Sequence, residues 1–129
     1  MITLNECRIL CVDDNEDARF MLSTLFRQEG YTVATAGSIE EALPLARSEQ
    51  FDLYVLDKLF PDGDGTDLCR ELRGRNPQAL VVIYSGAAYD EDKQAGFGVG
   101  AEAYVTKPNV EGLVAVVNDL LKAKALPHE

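Results

Sequence analysis

Short apolar runs alternate with amphipathic stretches five times along the chain. "RILCV" (8–12), "TVATA" (32–36), "LYVLD" (53–57), "ALVVIYS" (79–85) and "AYVTK" (103–107) have the length and composition of strands. Three of them are nearly continuous in apolar residues, as parallel strands covered on both faces are. The second, with its threonines and alanines, suits an edge position.

The intervening stretches read as helices. Asn15 to Gln28 opens with acidic residues, which favour a helix N-terminus, and sets Ala18, Met21, Leu22 and Leu25 on one stripe. "SIEEALPLARS" begins with a capping-box pattern, Ser38 and Glu41, and Pro44 inside it predicts a kink. Thr66 to Arg73 places Leu68 and Leu72 on its apolar side, with Gly74 as the expected stop. Asn109 to Lys124 has the clearest stripe, formed by Val110, Leu113, Val114, Val117 and Leu121. The fourth helix, in "YDEDKQAGFGVG", contains Gly96 and Gly98, each costing roughly 1 kcal/mol relative to alanine inside a helix. A short or mobile element is predicted there.

Alternating strands and helices with crossovers of this length imply an α/β fold: a parallel five-stranded sheet covered by helices on both sides. In such sheets ligands bind beyond the carboxyl ends of the strands. The chain's 129 residues fit one domain, 1–129, with its core at about 7–124. Its net charge of -10 argues against a direct nucleic-acid surface, and no apolar run reaches membrane-span length. Cys7, Cys11 and Cys69 form no CxxC pair, so reduced thiols and a cytoplasmic location are expected. The only histidine, His128, falls in the terminal "LPHE", an expected frayed end, which argues against a histidine-based triad.

The chemistry gathers at the strand ends. The first strand runs into Asp13 and Asp14, the third ends in Asp57, the fourth in Ser85 and the fifth in Lys107. The second ends in Ala36-Gly37, which carry no chemical group. Three carboxylates at one edge repel one another unless a cation offsets them, and hard oxygen ligands suit Mg2+. A lysine and a hydroxyl opposite them suit an anion. Metal and anion together point to a phosphoryl group, with Asp57 as the carboxylate nucleophile. Taken alone, Asp13 and Asp14 also read as a helix-capping cluster beside Asn15, Glu16 and Asp17. "DGDGTD" (62–67) does not read as a calcium loop, because Asp67 and Arg73 stand where glycine and glutamate are needed.

The ordered set "VDDN", "VLDKLFPDGDG", "YSG" and "GAEAYVTKP" closely resembles the receiver domain of bacterial two-component response regulators, across nearly the whole chain. The resemblance implies a flavodoxin-like, doubly wound (βα)5 fold with strand order 2-1-3-4-5. It also implies that Asp57 takes a phosphoryl group from a phosphohistidine on a sensor histidine kinase or phosphotransfer protein. Asp14 would ligate Mg2+ directly, Asp13 largely through water, and the backbone carbonyl of Leu59 would complete the protein ligands. Lys107 would pair with one phosphoryl oxygen and the Ser85 hydroxyl with another. Tyr104 would be the aromatic switch that follows Ser85, and the Lys107-Pro108 bond would be cis. The expected output is a switched protein-interaction surface, read by a downstream partner or effector domain, with a phosphorylation-dependent dimer also allowed. Such a domain turns over no metabolite; its chemistry is self-phosphorylation and autodephosphorylation.

Three positions depart from the common pattern. Lys58 follows the acceptor where an apolar residue is usual, so it either adds a positive charge near the site or points to solvent. Leu59 and Ala87, two positions beyond Asp57 and Ser85, lack groups that orient water, which predicts slow self-dephosphorylation. Alternatives are a receiver-like interaction module regulated without phosphorylation, an aspartyl-phosphate phosphatase, or a flavin or redox protein of similar architecture. The phosphatase wants a second aspartate where Leu59 stands, and the redox protein lacks a cysteine or phosphate-loop signature.

Overall fold

The computed structural model describes residues 7–125, so His128 lies outside the described residues. Five parallel strands form one sheet: β1 (Arg8–Val12), β2 (Thr32–Ala36), β3 (Leu53–Leu56), β6 (Leu80–Ser85) and β7 (Ala103–Thr106). Two further strands of two residues each, β4 (Leu59–Phe60) and β5 (Gly63–Asp64), make a small antiparallel hairpin after β3. The sheet order is β2-β1-β3-β6-β7. With the hairpin left out of the count this is 2-1-3-4-5, and "TVATA" does lie at the edge.

Alternation along each strand divides the core into two layers. Ile9, Cys11, Leu53, Val55, Val82 and Tyr84 face α1 (Glu16–Gln28) and α5 (Val110–Ala125), where they meet Leu22, Phe26, Leu113, Val117 and Leu121. Leu10, Val12, Tyr54, Leu56, Val81 and Ile83 face the other way, toward α2 (Ile39–Ser48) and α3 (Gly65–Arg75), and pack with Ala42, Leu68, Cys69 and Leu72. The central strands are therefore apolar on both sides, which is why they read as unbroken runs.

Helix ends are set by short polar side chains. Asn15 caps α1 by accepting the Ala18 N–H at 2.9 Å, and Ser38 caps α2 by accepting the Glu41 N–H at 3.1 Å. The predicted capping box is only half formed, because the Glu41 carboxylate takes the N–H of Gly37 instead. α2 runs from Ile39 to Ser48 with Pro44 inside it. Two expectations fail. α3 does not stop at Gly74 but continues to Arg75, with Asn76 as its C-cap. On α1 the buried side chains are Leu22, Ser23 and Phe26, while Met21 is 37% exposed. The apolar stripe is thus rotated from the one drawn through Met21.

α4 (Asp90–Gly98) is short, as predicted, and Gly96 is its only buried residue. A Cβ at Gly96 would lie 2.8 Å from Ile83 Cδ1 and 3.1 Å from the Tyr104 ring. That glycine, unfavourable for the helix itself, lets α4 approach the sheet closely.

The rotated stripe on α1 yields a contrast in stability. Phe26→Ala should cost about 3–5 kcal/mol in urea unfolding, and Met21→Ala less than about 1 kcal/mol. Equal losses would mean that α1 is turned as the sequence stripe suggested.

Candidate functional site

The strand register brings the predicted residues to one level. Val12 pairs with Leu56, Leu56 with Ile83, and Ser85 with Thr106, so Asp13, Asp57, Ser85 and Lys107 emerge together at the carboxyl edge. Backbone bonds continue past the strands: Asp13 N–H donates to Ala36 O at 3.1 Å, Asp57 N–H to Val12 O at 3.1 Å, and Lys107 N–H to Ser85 O at 2.9 Å. The acceptor candidate and its neighbours are therefore held by the ladder itself.

At the centre stands the Lys107 ammonium. Its Nζ lies 2.7 Å from Asp13 Oδ2 and 2.9 Å from Asp57 Oδ2, donating to both. Asp13 is 2% exposed, and a buried carboxylate without a partner is costly. Burial works against the charge on Lys107, but hydrogen bonds and attraction from Asp13 and Asp57 outweigh it and raise its pKa above the ordinary lysine value. The lysine therefore stays charged at neutral pH. Its Nζ also lies 5.7 Å from the centre of the Tyr84 ring. The Lys107-Pro108 peptide bond is cis.

Carboxylate oxygens of Asp13, Asp14 and Asp57 approach within 4.8 Å of one another. Asp13 Oδ1 accepts the Asn15 N–H, and Asp57 Oδ1 accepts the Lys58 N–H at 2.6 Å. Asp14 is exposed on the open side of the group. One lysine facing three carboxylates leaves net negative charge, and an oxygen-only donor set of this kind suits a hard divalent cation. Leu59 lies in β4 beside the cluster, with its side chain 60% exposed.

On the other side, the Ser85 hydroxyl accepts the Ala87 N–H at 3.2 Å, while the Tyr104 hydroxyl donates to the Ala87 carbonyl. Ser85 and Tyr104 are thereby joined through a single residue. A cavity of about 510 Å³ opens between Asp57 and this segment, lined also by Leu59, Ala87, Tyr89 and Asp92.

Of its two expected positions, Lys58 does not take the one facing solvent; its charge sits beside Asp92, which lines the cavity over Asp57. Its side chain is nearly buried and pairs with Asp64 at 3.5 Å and with Asp92 at 3.2 Å, away from solvent and outside the carboxylate cluster. Burial acts against the Lys58 charge, but bonding to Asp92 and Asp64 more than offsets it and raises its pKa. The "DGDG" run has two capping duties that sequence reading did not find. Asp62 accepts the N–H groups of Ile39 and Glu40 at the start of α2, and Asp64 accepts the Thr66 N–H at the start of α3. Gly65 was missed as well. A Cβ there would stand 1.9 Å from the Asp57 carbonyl oxygen, and its N–H donates to the Lys58 carbonyl at 2.5 Å. Only the glycine in that short motif marked the close approach.

The response regulator receiver domain family matches residues 9–118. The chain belongs to that family, the receiver domains of two-component response regulators. It is 36% identical to the probable transcriptional regulatory protein TcrX of Mycobacterium tuberculosis over 88% of this chain and 49% of that protein. It is 38% identical to the alkaline phosphatase synthesis transcriptional regulatory protein PhoP of Bacillus subtilis over 78% of this chain and 42% of that one. The chain thus spans about half the length of the curated relatives it matches. Among solved structures it superposes on the BeF3-activated DrrB receiver domain with a TM-score of 0.84 and 34% identity, covering 91% of this chain and 98% of that one. A response regulator from Clostridium difficile gives a TM-score of 0.89 at 27% identity, covering 94% of this chain and all of the other (100%).

Gly65→Ala should force the loop away from Asp57 and lower stability by about 1–3 kcal/mol in chemical unfolding. Unchanged stability would show that the loop has room to yield.

Proposed function

We propose that Asp57 is the phosphoacceptor of this receiver domain, and that one observation carries the reading: the Lys107 ammonium bridging Asp57 and the buried Asp13 beside a third carboxylate. A carboxylate oxygen of Asp57 attacks the phosphorus of a phosphohistidine on a sensor kinase or phosphotransfer protein. The P–N bond breaks, the imidazole leaves, and an acyl phosphate remains on Asp57. Such transfer needs positioning and charge neutralisation more than covalent help.

Asp13, Asp14, Asp57 and the Leu59 carbonyl are the groups that would hold Mg2+. When bound, Mg2+ offsets charge on the carboxylates and on the phosphoryl oxygens. Lys107 supplies a second positive charge within reach of Asp57. The Ser85 hydroxyl accepts from Ala87, and its own proton is the group that would bond a phosphoryl oxygen.

The same bonds support a switch. Drawing Ser85 toward a phosphoryl group weakens its bond from Ala87, and the Ala87 carbonyl in turn holds the Tyr104 hydroxyl. A group carrying about -1.5 to -2 charge then selects between two arrangements of the 85–89 segment and Tyr104. We read the output as a changed protein surface, contacting a downstream partner, an attached effector or a second copy of the domain, and not nucleic acid directly. Its relatives are transcriptional regulators of about twice this length, which supports an effector elsewhere in such a protein. The domain, 1–129 by this reading, acts in the cytoplasm and turns over no metabolite. Among the described residues no helix is long and apolar enough to cross a membrane.

Two experiments bear on this reading. Incubation with a small acyl phosphate and Mg2+ should add one phosphoryl group by intact mass, lost in Asp57→Asn and without Mg2+. No gain in the wild type would favour a receiver-like interaction module regulated without phosphorylation. Leu59 and Ala87 face the cavity over Asp57 and offer no side-chain group to orient an attacking water. Leu59→Asn should therefore shorten the lifetime of the acyl phosphate about tenfold. An unchanged decay rate would assign the slow step elsewhere.

A further inference from the structure

Lys58 is placed to report the state of Asp57 to a second element. Its backbone N–H donates to Asp57 Oδ1 at 2.6 Å, and its side chain, 11% exposed, ends between Asp64 and Asp92. Asp92 lies in the first turn of α4 and uses both carboxylate oxygens: Oδ1 pairs with Lys58 at 3.2 Å, and Oδ2 accepts the Tyr89 N–H at 3.2 Å. The residue next to the proposed acceptor therefore holds the start of α4.

That hold matters because, apart from the close approach of Gly96 to Ile83 and Tyr104, α4 buries little. Gly96 is its only buried residue, its sequence has no apolar stripe, and Phe97 is 52% exposed. A helix with few buried side chains sits at the low-stability end of a fold. Removing one partner of an ion pair largely shielded from water leaves the other charge uncompensated, so the start of α4 is sensitive to the loss of Lys58.

We propose that Lys58 is a positioning residue that latches α4 through Asp92 and releases it when Asp57 is phosphorylated. The proposal rests on Asp57 being the acceptor. A phosphoryl group brings about -1.5 to -2 charge to the residue adjoining Lys58, a stronger anion than either present partner. The ammonium is drawn toward it and its bond to Asp92 loosens. Release in this way reaches α4 through the segment after β3, and it adds to the Ser85–Tyr104 connection, which meets the same carboxylate through the Tyr89 N–H.

The test is amide hydrogen exchange of residues 90–98 in the full chain, with intact mass recorded on the same samples. Without a phosphodonor, Lys58→Met should speed exchange in α4 about tenfold while β1 and α5 keep their protection, showing that the variant is folded. Lys58→Arg should restore the slow rate. Asp92→Asn should match Lys58→Met, and the double variant should be no faster than either. With a small acyl phosphate and Mg2+, the wild type should loosen at α4, and Lys58→Met, gaining the same mass, should change little further. Wild-type protection of α4 in Lys58→Met would overturn the latch, as would additive effects of the two substitutions. Equal loosening on phosphorylation in wild type and Lys58→Met would overturn the release. If neither protein gains mass, the acceptor reading fails and the release with it, while the donor-free comparison still decides the latch.

Discussion

One ammonium group makes the carboxyl edge of this sheet tenable. Asp13 is almost fully buried and Asp57 nearly so, at the ends of adjacent parallel strands whose register holds them side by side. Two carboxylates so placed repel each other, and burial of charge without a partner adds to the cost. Lys107 reaches both at hydrogen-bonding distance from the end of β7, two strands away from Asp57. The sheet order matters here: β6 lies between β3 and β7 and brings Ser85 to the same level. The charge balance and the strand order are thus two statements of one constraint.

The compensation is incomplete. Asp14 adds a third carboxylate on the open side, and a single lysine leaves the group negative. That residual charge suits a divalent cation, and a bound cation would in turn favour an anion beside Lys107 and Ser85. The surrounding loops preserve the arrangement by other means. Gly65 lets the chain turn against the Asp57 carbonyl, Asp62 and Asp64 anchor the same loop to two helices, and Lys58 ties it to α4.

Much of this was legible in the sequence because it depends on period and order. Strands buried on both faces appear as apolar runs, their ends carry the polar groups, and the four motifs follow one another as in receiver domains. The fold and the grouping of Asp13, Asp14, Asp57, Ser85 and Lys107 follow from these signals. What was not legible depends on direction or distance. A helical stripe through Met21 or through Phe26 differs by a small rotation, which only packing decides. Gly74 looks like a helix stop, yet it lies within α3, while Gly65, at the start of the same helix, is set by a steric contact with a residue eight positions earlier. The partner of Lys58 is 34 residues away on another helix, and no local pattern marks such a pair.

Lys107 and a bound divalent cation would relieve the same repulsion. The direct test is the thermal unfolding midpoint of the wild type and of Lys107→Met, each with and without Mg2+. Lys107→Met should be less stable without Mg2+, and Mg2+ should raise the midpoint of the variant more than that of the wild type, narrowing the gap. A gap that Mg2+ leaves unchanged, or no loss on removing the lysine, would contradict it.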